Sequence, residues 1–331
     1  MKYAKSFQRS IERFCARASA RNPTKTFYHP QRDRPILRRI PATLTMRSKN
    51  GSTTDFVHFT AGAHLRAGVE VMHASFGTHR FAPHLHETWS FGAVLSGAQN
   101  NAIGPERNII ETGQLILMPP YRPHAGCAVG EQPCQYVMLY VSDEQLRERA
   151  DALGLHEVNL PATGVSDPWL VDLMASFVFA AIESERAGKH PSPSLDRAFE
   201  RVVDQILIRH AFAPVDSDDF YAQRYERRLD AALAHLKANL NEAIPLNELA
   251  RHASLSPAHF CRRFSQAYGL PPHRYQLVLR IAQAKSMLYA GEDISRVALL
   301  AGFADHSHFG RQFKSCFGFP PGHLTRRFTA R

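Results

Sequence analysis

The chain lacks any apolar run approaching the roughly 18 residues that a membrane-spanning helix requires. Its basic N-terminus has no apolar core segment, so it does not read as a secretory signal. The five cysteines (Cys15, Cys127, Cys134, Cys261, Cys316) form no C-x-x-C pair, and their odd number argues against a disulfide framework. These absences together predict a soluble protein of a reducing cytoplasm, with no membrane partner. Hydrophobic residues make up 44% and charged residues 21% of the 331, the composition of a globular chain long enough for two cores.

Charge is scarce in the middle of the chain and crowded at its ends. Residues 1–47 carry 12 Lys/Arg against 2 Asp/Glu, residues 48–220 carry 12 against 21, and residues 221–331 carry 16 against 7. A basic C-terminal third beside an acidic body predicts a polyanionic partner, nucleic acid first among them.

The same three regions differ in pattern. Residues 1–47 hold few candidate core positions and read as a disordered basic tail, with Met46 offering a second start. From 48 to 145, short apolar runs such as "VEVMHASF", "SFGAVLSG", "GQLILMPP" and "CQYVMLYVS" alternate with turn residues, which predicts an antiparallel sandwich or barrel. Residues 146–212 switch to helical spacing, with two amphipathic stretches that each have a proline near their start. They predict a helical hairpin that could supply a homodimer face. The polar, acidic 213–220 reads as a linker, and 221–331 as helical almost throughout.

Within that last region one short unit is written twice. "HFCRRFSQAYGLPPH" (His259–His273) and "HFGRQFKSCFGFPPG" (His308–Gly322) match at seven of fifteen positions without a gap. Ser256 before Pro257, and Asp305 before His306, are good helix N-caps, and Gly269, Gly291 and Gly318 stand where helices end. A shorter helix precedes each copy, with Leu246/Ile294, Leu249/Val297 and Ala250/Ala298 matching, and a turn holds Ser254 or Gly302. Helix, tight turn, helix is the helix-turn-helix. Phe260, Phe264 and Tyr268 in one copy, and Phe309, Phe313 and Phe317 in the other, recur every four residues and form a core stripe. The opposite face carries Ala258, His259, Cys261 and Arg262 in the first, and His306, Ser307, Gly310, Arg311 and Lys314 in the second. These can face base edges or phosphates, with Arg262 and Arg311 coincident in the repeat. The connector of roughly 19 residues spans about 28 Å, against the roughly 34 Å between successive major grooves on one DNA face.

Residues 221–331 resemble the DNA-binding domain of the AraC/XylS family of bacterial transcription regulators. The resemblance is carried by "LNELARHASLSPAHFCRRFSQAYGLPPHRYQLVLRIAQAKSMLYAG" and "ISRVALLAGFADHSHFGRQFKSCFGFPPGHLTRRF". It implies two helix-turn-helix units on double-stranded promoter DNA, with the nine residues named above as the readers, and RNA polymerase as a further partner.

Upstream, "HLHETWSFGAVLSG" and "GQLILMPPYRPHAG" resemble the two cupin motifs. Two departures stand out: Ser90 and Phe91 occupy the place of the motif glutamate, and Tyr121 replaces a glycine. His84 and His86 share one face of a strand by alternation. With Trp89, Tyr121 and His124 they are the expected lining of a pocket for a small organic effector. A three-histidine metal site at His84, His86 and His124 is the alternative, as a metal sensor or as a metal-dependent cupin enzyme joined to a DNA-binding domain. The expected protein is therefore α+β, with a cupin-like antiparallel β-barrel and helical hairpin followed by an all-α domain of two helix-turn-helix units. Its expected function is ligand-responsive, sequence-specific transcription activation, without enzymatic activity or resident cofactor.

Overall fold

A computed structural model describes residues 55–325, apart from 62–64, 104–105, 157, 161–163, 189–191, 212–226 and 304. The basic tail at 1–47 and the linker at 213–220 lie outside the described residues.

The four apolar runs named above become strands β2 (Val69–Phe76), β4 (Trp89–Ser96), β7 (Gln114–Met118) and β9 (Cys134–Val141). With β1 (Phe56–Ala61) and β10 (Val165–Ser166) they make a six-stranded antiparallel sheet of order β1-β2-β9-β4-β7-β10. Its strands read as continuous apolar runs because both faces are covered. Strands β3 (Arg80–His84), β5 (Ala98–Ile103), β6 (Glu106–Glu111) and β8 (His124–Ala128) form a second antiparallel sheet of order β3-β8-β5-β6. The expected barrel is thus two separate sheets and does not close.

Along β4 and β9, alternate residues go to different cores. Phe91, Ala93, Leu95, Val137, Leu139 and Val141 pack toward helices α1 (Asp143–Ala152), α2 (Pro168–Arg186) and α3 (Pro193–His210). Val94, Tyr136, Met138 and Tyr140 face the second sheet. Helices α2 and α3 form the expected hairpin, each with proline at its first turn. Asp167 caps α2 through the Leu170 amide and also accepts from Arg209 Nε at 2.7 Å, tying the start of α2 to the end of α3. The inner face of α2 is consumed by the sheet: Leu170, Val171, Met174 and Val178 are all buried.

The C-terminal region runs α4 (Arg227–Ala238), α5 (Leu246–His252), α6 (Pro257–Tyr268), α7 (Pro272–Tyr289), α8 (Ile294–Leu300), α9 (His306–Phe317) and a short α10 (Gly322–Thr325). Both copied helices, α6 and α9, are capped as expected. Ser256 accepts from the His259 amide, Asp305 from the His308 amide, and Gly269 and Gly318 end them in the left-handed region at φ 75° and 83°. The turns inside the two units also match in backbone: Ser254 sits at φ 53° where its counterpart Gly302 sits at 72°. Glycine takes that conformation freely, whereas serine is strained there by about 1–2 kcal/mol.

The two units differ in what their cores join. The first closes on itself around Leu249, Phe260, Phe264 and Tyr275, with Leu85 of the sheet domain packed against it. The second, around Val297, Phe309 and Phe313, is continuous with the inner face of the six-stranded sheet through Phe59, Met72 and Tyr140. Apolar packing therefore crosses the boundary that the acidic linker marks in the sequence.

Candidate functional site

The cavity lies where the two sheets meet the second helix-turn-helix unit. Its volume is about 70 Å³. His84, His86, Met118, His124, Met138 and Tyr140 line it from the sheet domain, and Lys285, Cys316, Phe317 and Phe319 from the C-terminal region.

Local sequence places the histidines. His84 ends β3 and pairs with His124 at the start of β8, and His86 lies two residues beyond, in the segment leading to β4. Ring centroids are 4.2 Å apart for His84–His124, 5.1 Å for His84–His86 and 5.2 Å for His86–His124. His84 Nδ1 lies 2.8 Å from the Ala82 carbonyl oxygen, and His124 Nδ1 lies 3.0 Å from that of Arg122. Burial disfavours the charged form of all three rings. It pushes His124 down to about 4, and holds His84 and His86 well below the usual imidazole range with help from neighbouring rings and Lys285. The three rings are therefore neutral, and one donor atom from each lies within 4.8 Å of the other two.

Two expected lining residues are elsewhere. Trp89 shares a face of β4 with Phe91, by strand alternation, and packs beside the helices on the far side of the sheet, its Nε1 donating to Asp143 Oδ1 at 3.1 Å. Tyr121, the residue in the glycine place, takes a left-handed φ of 61°. That turn sends its ring to the helical region, where Lys237 Nζ stands 3.8 Å over it and Tyr275 donates to its carbonyl oxygen at 3.2 Å. Tyr121 is a domain-contact residue rather than a pocket wall. Ser90, in the place of the glutamate, is buried and donates to the Thr88 carbonyl oxygen at 3.5 Å.

The sequence reading also missed Lys285, Cys316, Phe317 and Phe319. Lys285 Nζ donates to Glu70 Oε2 at 2.8 Å and stands 4.7 Å from the ring centroids of both Phe59 and Tyr140. A signal for it exists: Lys285 interrupts the apolar stripe of Ile281, Ala284 and Leu288 on α7 and is buried with them. Phe317 completes the stripe of α9, yet its ring lies 5.8 Å from His84 and 6.0 Å from His86. In the first unit the corresponding Tyr268 turns to Asp230 instead. At the next position, a Cβ on Gly318 would meet the Phe76 ring at 2.7 Å and the Phe81 ring at 3.2 Å, so glycine lets the end of α9 seat closely on β2 and β3.

The faces of α6 and α9 expected to meet DNA lie away from this contact. Ala258, His259 and Arg262 on α6, and His306, Ser307, Arg311 and Lys314 on α9, are exposed, with Cys261 and Gly310 half-buried. Nothing lies within 4 Å of where a Gly310 side chain would start, which leaves bare backbone open to close approach. The connecting helix α7 has 18 residues, a length of about 27 Å.

Two families match the chain in comparison with known proteins. Residues 66–256 match the family described as AraC-like ligand binding domain, and residues 249–327 match one described as helix-turn-helix domain. The HTH-type transcriptional activator RhaS of Pectobacterium atrosepticum is 26% identical over 258 residues, covering 76% of this chain and 90% of RhaS. The HTH-type transcriptional regulator GbdR of Pseudomonas aeruginosa is 35% identical over 95 residues, and there the match spans only 26% of the relative's length. Among solved structures, an apo ToxT variant from Vibrio cholerae superposes with a TM-score of 0.53 at 11% identity, over 80% of this chain and 99% of that one. At that identity the likeness is one of fold.

Proposed function

The chain belongs to the AraC family of transcription regulators, and from that membership we propose that a small effector in the interdomain cavity sets how the DNA-reading helices are held. Promoter DNA and a small-molecule effector are the partners of such a regulator. The observation that supports this coupling is the lining of the cavity. His84, His86 and His124 come from the sensor strands, while Lys285 and Phe317 come from the connecting helix and the second reading helix. An occupant that contacts both walls differently in two arrangements of the domains shifts the balance between them. A differential of about 1–3 kcal/mol, or roughly 5- to 150-fold in DNA affinity, is the ordinary range for such coupling.

In this reading Ala258, His259, Cys261 and Arg262 face one half-site, and His306, Ser307, Gly310, Arg311 and Lys314 the other. The regulator acts as an activator in the manner of RhaS, and activation requires contact with RNA polymerase. Leu299 and Leu300 are exposed on α8, next to the second reading helix, and are an apolar surface suited to that contact. Two copies meet through the hairpin, where Trp169 and Ile208 leave large apolar surface exposed.

The test is selection of a target from random duplexes with the full chain, then anisotropy titration of that target against a metabolite panel. Phe317→Ala should keep the target sequence while removing the response to the effector. A response unchanged in that variant refutes coupling through the cavity.

A further inference from the structure

The chemistry of the cavity restricts its occupant further. Its volume of about 70 Å³ is well below the roughly 300–1,000 Å³ of pockets for organic ligands, but it accommodates an ion and a few waters. Lys285 is not a free cation for an organic anion, since Glu70 already pairs with it at 2.8 Å. The histidines instead present lone pairs. A ring nitrogen against a carbonyl oxygen must carry the proton, so the contacts of His84 and His124 with Ala82 and Arg122 put the lone pair of each ring on Nε2. Backbone carbonyls orient metal-ligating histidines in just this way. Among the described residues, no hydrogen bond reaches Nε2 of His84 or His124, or either nitrogen of His86.

We infer that His84, His86 and His124 hold a divalent transition-metal ion of the zinc class, with its fourth position open toward Lys285 and Phe317 of the DNA-binding domain. A tetrahedral ion with bonds of about 2.0–2.1 Å sets its donors about 3.4 Å apart. The three donors, within 4.8 Å of one another, reach that separation by rotation of the rings. Cys316, at the cavity edge, is not among the donors that lie within 4.8 Å of one another. Ser90 replaces the carboxylate of a cupin metal site. The donor set is therefore three imidazoles, which suits Zn, Cu, Fe or Ni over Mg or Ca. Two added positive charges oppose Lys285, so occupancy favours the arrangement in which α7 moves off the sheet. The consequence for DNA rests on the sensing role proposed above; the site itself does not.

The experiment titrates chelator-treated full chain with Co²⁺ alone and then Zn²⁺. One Co²⁺ per chain is expected, with visible ligand-field absorption that Zn²⁺ displaces. The band should be lost in H84A and H86A variants that keep the wild-type circular dichroism. It should survive His235→Ala, which dismantles the second donor group among the described residues, that of His235, Glu248 and His252. No stoichiometric band in the wild type overturns the inference without recourse to any variant, and so does a band that follows His235. The selected DNA target is titrated in parallel. Metal bound at the three histidines with unchanged DNA affinity upholds the site and overturns the coupling. A DNA response to an organic metabolite in protein that takes up no Co²⁺ overturns the metal and leaves the regulator standing.

Discussion

Replacing Lys285 by methionine leaves the Glu70 carboxylate beside an apolar stem. Lys285 and Glu70 expose only 10% and 20% of their side chains, and the bond between them is 2.8 Å. Breaking a fully buried pair from one side costs about 3–5 kcal/mol, whereas exposed pairs are worth about 0–1 kcal/mol. With Glu70 a fifth exposed, about 2–3 kcal/mol is expected for Lys285→Met, and a similar cost for Glu70→Gln. Methionine fills the volume of the lysine stem but gives up the cation contacts with Phe59 and Tyr140, each worth about 0.5–1 kcal/mol. The double variant should therefore cost less than the sum of the singles by about 1.5–2.5 kcal/mol. The assay is urea unfolding followed by tryptophan fluorescence and by circular dichroism. Both tryptophans, Trp89 and Trp169, lie in the sheet domain with its hairpin, so fluorescence reports that domain, while circular dichroism is dominated by the helices. The singles should separate the two transitions and the double variant should bring them back together. A coupling below about 0.5 kcal/mol refutes the pair as a domain latch.

Other perturbations have definite signs. Gly302→Ala forces a Cβ into the left-handed region and to 2.9 Å from Arg280 Nη1, and should cost about 1–2 kcal/mol; Ser254→Gly, in the matching turn, should be neutral or stabilising in the same thermal unfolding assay. Arg311→Ala should weaken binding of the selected target by about 1–3 kcal/mol and relax preference at one base, read by anisotropy across single-base variants. His73 is pushed down to about 4 by burial, with smaller contributions from the charges of His58 and Arg186. The unfolded chain takes up that proton near pH 6.5, so its contribution is complete above pH 6.5 and is lost as pH falls toward 4, by up to about 1.4 kcal/mol per pH unit. His73→Leu should flatten that slope in chemical denaturation, and an unchanged slope refutes the assignment.

Much of the architecture was legible in the residues because local physics dictates it. Caps at Ser256 and Asp305, and glycines at 269 and 318, bound the copied helices whatever surrounds them. The six-stranded sheet announced itself through apolar runs, since burial on both faces removes any need for alternation. The smaller sheet left little trace: "AQNNAI" and "ERNIIE" are polar strands whose pairing is supplied by their neighbours. Among the site residues, His84 and His86 stay together through their two-residue spacing although His86 lies beyond the end of β3, and the β3–β8 pairing added His124. Trp89 was misplaced because a side chain's face depends on where the strand begins, and β4 begins at Trp89 itself. Tyr121 was misplaced because a single left-handed φ reverses the direction of a loop.

What the sequence alone determined is the pair of helix-turn-helix units, the exposed faces of their second helices and the closeness of His84 to His86. Each of these follows from spacing within a few residues, where chain connectivity limits what can touch; His124 needed the pairing of β3 with β8. That the third aromatic of the second unit, Phe317, packs on Phe313 and also lines the interdomain cavity was decided by the tertiary structure. So was the pairing of Lys285 with Glu70 across 215 residues. Contacts between segments so far apart depend on how whole sheets and helices dock, and no local pattern encodes that docking. The two copies look interchangeable in sequence; only packing against the sheets makes the second the one that lines the cavity.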